Sequence, residues 1–477
     1  MSKNVITSAY FKRALLFICG KGKSGDIHFI CKNENMRFMP LYKDEGENGF
    51  TICFDLASGY KKGPIPSGKW VLRFDGKIDA DCIDSRDFSD NGGVYRIDLN
   101  CNHNEISLTS RLSPTKVNLT VRCADIILKT IFNTSKIISQ RKNRVLFTSQ
   151  SRKFISGNEK DVLDEILKRD ELKNRLKIKY SFTDKPNFNY YIKTAWMLGQ
   201  SEMVIIDDYH PIIYRFNYDK KVKITQLWHA CGAFKTFGYS RLGKEGSLRF
   251  DSNAHRRYTH AFVSGDGVRK YYAEAFGIPM ECVYATGVPR CDKLNDTQQK
   301  NNDKYTILFA PTFRGNGKES AYYPFEMLDL DKLADLCRKN GMQVIFKMHP
   351  FIKERLPISD KHKDVLFDQS DLREVNDILH DADLVITDYS SLIYEAALLD
   401  KPMLFYTFDL DEYIATRDFY EPFEKFVPGK IVSNFDDLLS AIDQKNFEID
   451  KVESFRKFNF SDYKFDAAKK IVDILFD

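Results

Sequence analysis

The chain has 477 residues, of which 43% are hydrophobic and 29% are charged, and its formal net charge is +5. This length exceeds one typical domain, so two or three domains are expected, and the composition excludes an intrinsically disordered protein. So small a net charge gives no reason to expect a nucleic-acid partner, and none is predicted. The ten cysteines are scattered without a C-x-x-C pair, which argues against a zinc ribbon and against a disulfide framework.

The apolar runs are short. The run at 13–18 has the length of a strand and meets Gly20 and Lys21, which is unlike a signal peptide. No run approaches the roughly 20 residues that a membrane-spanning helix needs. The sequence therefore predicts a cytoplasmic protein, or one attached to the inner face of the cell membrane.

Residues 1–123 read as strands, because short or alternating apolar runs are separated by Gly, Asn, Asp and Pro turns. We expect a small all-β, sandwich-like module there, with a structural or docking role favoured over ligand binding. A helical pattern follows at 124–140 and predicts a connector.

From residue 141 onward, strand and helix patterns alternate, beginning with a strand at 144–149, a charged amphipathic helix at 159–176, a strand at 178–182 and a helix at 187–198. Residues 141–295 and 296–477 form two such blocks, each typical of a Rossmann-like α/β domain. The final amphipathic pattern, at 465–476, is expected to pack back on the first block. In open α/β sheets ligands bind beyond the carboxyl ends of the strands, so a cleft faced by both domains is predicted.

The stretch at 383–406 contains the largest group of candidate site residues. A buried strand pattern leads into the polar turn Asp388, Tyr389, Ser390 and Ser391, and a helix follows. Hydroxyls and unpaired N–H groups at a helix start favour a phosphate, and Glu395, one turn later, can accept from ribose hydroxyls. An ordinary crossover of a parallel sheet is an equally good interpretation of this unit alone.

Three other loops follow predicted strands. His229 comes directly after one and can act as a general base, although a satisfied core histidine fits equally well. Thr312 and Arg314 suit an anionic oxygen, with a surface arginine in a turn as the alternative. His349 ends another strand and can neutralise charge on a leaving phosphate. Together, in this order, the four loops are much stronger evidence than each is alone.

These motifs resemble one family. The segments WHACGAFKTFG, TGVPRCDKL, ILFAPTFR, KMHP, DADLVITDYSSLIYEAALLDKPMLFY and FYEPFEKFVPGKIV are similar to those of the CDP-glycerol glycerophosphotransferases, which include teichoic-acid primases and polymerases and related capsule enzymes. The likeness runs from about residue 144 to the C-terminus and leaves out the β module. One departure is Ala230-Cys231-Gly232, where many members have Gly-Thr-Pro.

The resemblance implies a glycosyltransferase-B fold and transfer of a polyol phosphate from a CDP-activated donor, with CMP as leaving group. It assigns His229 as the base and His349 to the pyrophosphate, without a cofactor. It assigns donor contacts to Thr312, Arg314, Asp388, Ser390, Ser391 and Glu395. Arg290, Asp292 and Lys235 lie in family motifs without a derived role, and Arg290 with Asp292 could equally be a structural ion pair. No metal is expected, because the adjacent Asp207 and Asp208 would point to opposite faces of a strand.

The implied acceptor is a lipid-linked polyol phosphate or glycan, so an anionic membrane surface is an expected partner. Two basic stretches, 168–179 and 235–257, could meet that surface or a polyanionic acceptor. Solvated helix and loop faces are a comparable alternative. The residues in question are Lys168, Arg169, Lys173, Arg175, Lys177 and Lys179, then Lys235, Arg241, Lys244, Arg249, Arg256 and Arg257.

Three functions stay open at this point. The favoured one is transfer of glycerol phosphate or ribitol phosphate to a teichoic-acid-like or capsular polymer. A sugar transferase of the same fold that uses a UDP- or CMP-sugar fits the two domains equally, but not the WH, PTxR and MHP motifs. A polymer-binding scaffold that has lost activity is disfavoured by the presence of both histidines, Arg314 and the serine pair.

Overall fold

The structure is a computed structural model. It describes residues 4–31, 36–60, 63–79, 81–84, 86–89, 95–102, 105–113, 118–139, 142–242, 247–249, 252–295, 303–315, 317–371 and 375–477. The chain forms two compact units. The first is made of Met1–His229, Thr236–Phe262 and Arg269–Tyr284, and the second of Ala230–Lys235, Val263–Val268 and Ala285–Asp477.

The N-terminal part of the first unit is built from strands. These are β1 (Val5–Lys12), β2 (Leu15–Lys21), β3 (His28–Cys31), β4 (Arg37–Phe38), β5 (Tyr42–Glu45), β6 (Phe50–Asp55), β7 (Gly68–Arg73), β8 (Lys77–Ile78), β9 (Asp87–Ser89), β10 (Tyr95–Asn102) and β11 (Glu105–Leu112). They form a five-stranded sheet, β5-β6-β2-β1-β8, and a six-stranded sheet, β4-β3-β7-β11-β10-β9. Strand β10 shows the alternation that gives a sheet one buried face. Its Tyr95, Ile97 and Leu99 are buried between exposed or half-exposed neighbours.

Both sheets contribute to one hydrophobic core. Leu16 and Phe54 come from the first sheet, and Trp70 and Leu108 from the second. Tyr239, from the α/β part of the same unit, belongs to this core as well. The β-rich part therefore shares buried apolar surface with the α/β part of its unit.

Buried polar contacts reinforce this attachment. Arg13 donates two hydrogen bonds to the Glu274 carboxylate, at 2.6 and 2.7 Å, and both side chains are at most 10% exposed. Arg256 is 4% exposed and donates to the Ala57 carbonyl at 2.6 Å. The expectation that Arg256 faces a membrane or a polyanion is therefore wrong, because its guanidinium is buried and donates hydrogen bonds within the protein. Lys244, another member of that stretch, lies outside the described residues.

The rest of the first unit is an α/β layer. Its elements are α1 (Leu119–Ile138), β12 (Arg144–Ser149), α2 (Gly157–Lys168), α3 (Asp170–Arg175), β13 (Lys177–Phe182), α4 (Phe188–Gln200), β14 (Met203–Ile206), β15 (Lys223–Gln226), β16 (His260–Val263), α5 (Arg269–Phe276) and β17 (Val283–Ala285). The sheet order is β13-β12-β14-β15-β16-β17, and its neighbours from β13 to β16 are parallel. Helix α4 begins where the Asn187 side chain accepts from the Tyr190 N–H.

The second unit contains another parallel sheet. Its elements are β18 (Tyr305–Phe309), α6 (Leu330–Asn340), β19 (Met342–Phe346), β20 (Leu366–Asp368), α7 (Asn376–Leu379), β21 (Leu384–Thr387), α8 (Leu392–Leu398), β22 (Met403–Tyr406), α9 (Leu410–Thr416), α10 (Phe423–Phe426), β23 (Lys430–Val432), α11 (Phe435–Asp443), α12 (Asp450–Phe460) and α13 (Ala467–Phe476). The order is β20-β19-β18-β21-β22-β23. All five neighbouring pairs are parallel.

Local signals explain where these helices begin and end. The Asp329 side chain caps α6 by accepting from the Lys332 N–H, and Gly341 ends it with a left-handed φ of 66°. The mixed α/β class with several sheets, predicted from the sequence, is confirmed. Within the described residues, no helix is both long and apolar enough to cross a membrane.

Candidate functional site

His229 lies at the carboxyl end of β15, in the first unit, and its side chain is 59% exposed. Its Nδ1 lies 4.0 Å from Oδ1 of Asp208, which follows the neighbouring strand β14. Asp208 in turn accepts from the Tyr209 N–H at 2.7 Å and from the Ser151 hydroxyl. At 4.0 Å the two groups are within ion-pair range and beyond hydrogen-bond distance, so Asp208 is the candidate acid for orienting this imidazole.

The residue before His229 is held from several sides. Trp228 has a positive φ of 53°, which is costly for a bulky residue. Its N–H donates to Gln226 Oε1 at 2.7 Å, and its carbonyl accepts from Asn158 Nδ2 at 2.6 Å. Its ring stacks on Phe237 with centroids 5.0 Å apart. These contacts fix the backbone from which the exposed imidazole projects.

The two adjacent acids after β14 take different partners. Asp207 is buried and pairs with Arg152, which also donates to the fully buried Glu159 at 2.9 Å. Burial raises the pKa of Asp207 to about 6, although Arg152 lowers it, and burial raises the pKa of Glu159 well above its usual range. Asp207 is thus part of an internal charge cluster, whereas Asp208 faces His229.

In the second unit, Arg314 holds the loop after β18. Its Nη1 donates to Asp388 Oδ2 at 2.8 Å, and its Nε and Nη2 donate to the two oxygens of Asp409 at 2.5 and 2.9 Å. Asp388 is fully buried and also accepts from the Thr312 N–H and hydroxyl, at 2.8 and 2.9 Å. Burial opposes the charge of Arg314, but the two carboxylates raise its pKa. All three predicted donor-binding residues thus have internal partners, and their contact with a phosphate stays a prediction.

The serines of the next loop differ from each other. Ser390 Oγ accepts from the Leu392 N–H at 3.2 Å, at the start of α8. Ser391 is exposed and makes no side-chain capping bond to that helix. Both follow the buried strand β21, so they are placed at the carboxyl end of the parallel sheet.

Lys235 ends the short segment Ala230–Lys235 that belongs to the second unit. Its Nζ donates to the Tyr413 hydroxyl at 2.8 Å, and its backbone pairs with that of Phe419. Burial lowers the pKa of Lys235 to about 8, and the nearby Asp388 raises it while Arg417 lowers it. Gly232 permits this path, because its φ is +68° and a Cβ there would lie 2.0 Å from the Tyr394 ring.

His349 follows β19 and is half-buried between Phe313 and Phe351, whose ring centroids are 4.7 and 4.8 Å away. Its Nδ1 accepts from the Phe351 N–H at 3.2 Å, so the proton of the neutral ring is on Nε2. Burial lowers the pKa of His349, and the charges of Lys235 and Lys347 lower it further. His349 is therefore a neutral donor in a positively charged surrounding.

Two cations beside His349 were not predicted as site residues. Lys347 lies on the same loop and donates to the Ser370 carbonyl at 3.0 Å. Arg417 lies over the rings of Phe313 and Tyr413, 5.9 and 5.7 Å from their centroids. Lys347 belongs to the KMHP motif, so its place beside His349 could be read from the sequence. Arg417 follows α9, a helix that was not predicted, and no sequence pattern linked it to His349.

Glu395 and Arg290, predicted separately, form an ion pair. Glu395 is 3% exposed, and its other oxygen, Oε2, is buried without a hydrogen-bond partner among the described residues. Cys231 and Cys291 lie beside it with their Sγ atoms 3.8 Å apart. Burial raises the pKa of Cys231 well above its usual range, so its thiol is neutral. The predicted contact of Glu395 with a ribose stays a prediction.

Asp292 has a structural role. Its carboxylate accepts from the N–H groups of Ala467 and Ala468, at 3.0 and 2.9 Å, and from the Tyr463 hydroxyl. It thereby caps the N-terminus of α13 from a distant part of the sequence. The sequence left open an ion pair of Arg290 with Asp292; in the structure Arg290 pairs with Glu395, and Asp292 bonds to the start of α13.

We expect Arg290→Ala to lower the free energy of unfolding by about 3 kcal/mol, because it leaves the buried Glu395 carboxylate without its counter-charge. The double variant Arg290→Ala/Glu395→Leu should recover part of that loss. Lys332 in the same unit pairs with Asp436 at an exposed position, so Lys332→Ala should destabilise the protein far less than Arg290→Ala. Urea denaturation measures all three, and equal effects of Arg290→Ala and Lys332→Ala would contradict the expectation.

The chain is similar in sequence to a family of known proteins. Residues 130–477 match the family model described as CDP-Glycerol:Poly(glycerophosphate) glycerophosphotransferase. The chain is 47% identical over 369 residues to the teichoic acid ribitol-phosphate polymerase TarK of Staphylococcus aureus, covering 73% of this chain and 72% of TarK. It is 40% identical over 356 residues to the teichoic acid poly(ribitol-phosphate) polymerase of Bacillus spizizenii, covering 72% of this chain and 57% of that enzyme.

The fold also has a solved counterpart. The structure of the wall teichoic acid polymerase TagF superposes with a TM-score of 0.57 at 18% identity, and the match covers 75% of this chain and 94% of TagF. The likeness supports the fold, and the family model covers most of the sequence. The chain therefore belongs to the CDP-glycerol:poly(glycerophosphate) glycerophosphotransferase family of enzymes.

Proposed function

We propose that this enzyme transfers ribitol phosphate from CDP-ribitol to the terminal hydroxyl of a polyol-phosphate polymer and releases CMP. The observation that carries the proposal is the arrangement around His349, where a neutral Nε2–H donor lies among the cations of Lys235 and Lys347. Both relatives named above are ribitol-phosphate polymerases, which favours ribitol over glycerol.

In the proposed transfer, an acceptor hydroxyl oxygen attacks the distal phosphorus of the donor. The bond between that phosphorus and the bridging oxygen breaks, and CMP leaves with the electron pair. His229 takes the hydroxyl proton on Nε2, while Asp208 stabilises the resulting imidazolium. His349 donates a hydrogen bond from Nε2 to the leaving phosphate, whose negative charge Lys235 and Lys347 also stabilise.

The donor-binding residues predicted from sequence motifs also take part in the proposed transfer, some of them in roles other than those predicted. Arg314 and Asp388 position the loop that carries Thr312, since their charged groups pair with each other. Ser390 and Ser391 offer hydroxyls at the sheet end to the pyrophosphate. Glu395 has one unused buried oxygen for a ribose hydroxyl.

We propose further that the two parallel sheets represent the two Rossmann-like domains of a glycosyltransferase-B-type fold. The domain division proposed with it is 1–123, 124–140, 141–295 and 296–477. Two six-stranded sheets support this assignment, with parallel neighbours from β13 to β16 in the first and throughout the second.

We also propose that the enzyme works on a lipid-linked acceptor at the inner face of the cell membrane. Lys168, Lys173, Arg175, Lys177 and Lys179 are all exposed, as attraction to anionic lipid requires. Helix α1 adds exposed apolar side chains, among them Ile126, Ile137 and Ile138, that are 63–84% accessible.

The donor is tested by competition. Purified enzyme is given CDP-ribitol and CDP-glycerol together with a short poly(ribitol phosphate) acceptor, and products are weighed by mass spectrometry. We expect CMP release and products that grow by ribitol phosphate. Growth by glycerol phosphate would overturn the choice of polyol, and transfer from a UDP- or CMP-sugar instead would overturn the proposed reaction.

The affinity for CDP-ribitol should fall as the pH rises through about 8. Lys235, whose pKa is lowered to about 8 by burial, is charged below that pH and neutral above it, whereas the pyrophosphate diester does not titrate there. In Lys235→Arg the charge persists, so the alkaline decline should disappear; in Lys235→Met affinity should be low at every pH. Calorimetric titrations between pH 6.5 and 9.5 measure this, and an unchanged decline in Lys235→Arg would contradict it.

A further inference from the structure

A cavity of about 440 Å³ opens in the first unit, and its walls include none of the residues assigned above. Its walls come from the loop between β12 and α2, the carboxyl end of the edge strand β13, and the first turns of α4. The side chains that matter are Lys153, Phe154, Tyr180, Phe182, Tyr190 and Lys193. The volume falls within the roughly 300–1,000 Å³ of ligand sites, and carboxyl ends of parallel strands are where such sites form.

The cavity combines aromatic rings with positive charge. Phe154 and Tyr180 are 63% and 45% exposed, so their ring faces are accessible to a ligand. The Tyr190 hydroxyl donates to the Ser149 carbonyl at 3.1 Å, which holds its ring in place as a wall. The Lys153 side chain is 68% exposed, with Asp184 as an ion-pair partner at 3.6 Å, and Lys193 is exposed.

The positive charge continues along the edge of the sheet. Lys177 and Lys179 lie on β13, the strand that ends in the cavity, and both are exposed. Aromatic faces alternating with ammonium groups suit a chain of polyol units joined by phosphodiesters, since rings pack against C–H groups and lysines pair with phosphates.

One loop connects the cavity with the proposed base. Lys153 and Phe154 line the cavity, while Ser151, in the same loop, donates to Asp208, which faces His229. A chain bound in the cavity is thereby held by the loop that also orders the partner of the base.

We propose that this cavity binds the acceptor polymer through its phosphodiester-linked polyol units behind the reacting end. The inference rests on the proposed function for the identity of the polymer. Lys153, Lys193 and the exposed rings then contribute to the affinity for the acceptor. They contribute neither to donor binding nor to the chemical step.

The test measures binding of a fluorescent tetramer of ribitol phosphate to the full-length enzyme by anisotropy, without donor. Lys153→Glu/Lys193→Glu should weaken binding about tenfold, because two surface attractions become repulsions. The matched control is Lys220→Glu/Lys221→Glu, which makes the same change of charge at two exposed lysines of the same unit and should change binding less than about twofold. Phe154→Ser, at an exposed position, should weaken binding by about threefold without loss of charge.

Kinetics separate this inference from the proposed function. In the Lys153→Glu/Lys193→Glu variant the acceptor KM should rise about tenfold, while kcat and the KM for CDP-ribitol stay within about twofold. An acceptor with a single polyol phosphate should be used equally by both proteins, because the proposed cavity contacts are with the units behind the reacting end. Absence of CMP release by the wild type with any CDP-polyol would refute the proposed function, whereas tetramer binding would still test the cavity.

Two outcomes would overturn the assignment. The first is equal weakening of tetramer binding by both double variants, which would indicate unspecific attraction. The second is unchanged tetramer binding in Lys153→Glu/Lys193→Glu. If that variant also lost binding to vesicles containing phosphatidylglycerol, these lysines would be assigned to a membrane contact instead.

Discussion

His229→Ala is expected to lower kcat by about 10²–10⁴-fold while leaving the affinity for CDP-ribitol unchanged. The imidazole lies at a strand end, is 59% exposed and faces Asp208, so its removal takes away a proton acceptor without leaving a hole in a packed core. Rapid-quench measurement of CMP release under saturating substrates gives kcat, and calorimetry gives the donor affinity. Asp208→Asn should reduce kcat less, because it removes the orienting charge but leaves the base.

The matched control for this prediction is His260→Gln. His260 lies in the same unit at the start of β16, stacks on Tyr284 with centroids 5.3 Å apart, and belongs to no proposed site. Its replacement should leave kcat within about twofold of the wild type. Turnover at the wild-type rate in His229→Ala, or an equal loss in His260→Gln, would remove His229 from the mechanism.

The strand and helix patterns predicted much of the α/β architecture, because hydrophobic periodicity is set locally. The predicted strand at 144–149 is β12 to the residue, and the predicted helix at 187–198 is α4 with Asn187 as its cap. The single helix predicted at 159–176 is wrong, since the chain is extended at Arg169 and α3 begins anew with acids in its first turn. Charged amphipathic sequence continues across that break, so periodicity alone could not locate it.

The histidine environments show why a site residue is hard to identify from sequence. His229 and His255 are both preceded by apolar or small residues, yet only His255 is a core histidine, whose pKa burial lowers to about 3. The difference arises from the packing of Trp228, Phe237 and Phe276 around the loop. Asp208 could have been suggested as the partner of His229, because acids at the ends of adjacent parallel strands lie close together.

Pairings across long stretches of sequence were beyond prediction. Arg290 and Glu395 come from different motifs and meet only because the segment after β17 packs on α8 in the second unit. Asp292 likewise accepts a hydrogen bond from the start of α13, which lies far from it in the sequence. Sequence motifs indicated that these residues matter, but whether each contacts a ligand or another side chain depends on tertiary structure.

His349→Ala is expected to lower kcat by about 10²–10³-fold, the loss seen when one preorganised donor to a developing negative charge is removed. The Phe351 N–H occupies Nδ1, and burial with the charges of Lys235 and Lys347 keeps the pKa of the ring low, so the ring stays neutral with its proton on Nε2. Because protonation is disfavoured, the contribution of His349 to kcat should stay constant between about pH 6.5 and 8.

Two further variants separate this hydrogen bond from packing. His349→Phe retains an aromatic ring between Phe313 and Phe351 but has no N–H, so it should be as slow as His349→Ala. His349→Gln supplies an amide donor and should keep more activity than either. If His349→Phe turned over at the wild-type rate, the ring would serve only to pack the loop, and the charge on the leaving phosphate would have to be stabilised by Lys235 and Lys347 alone.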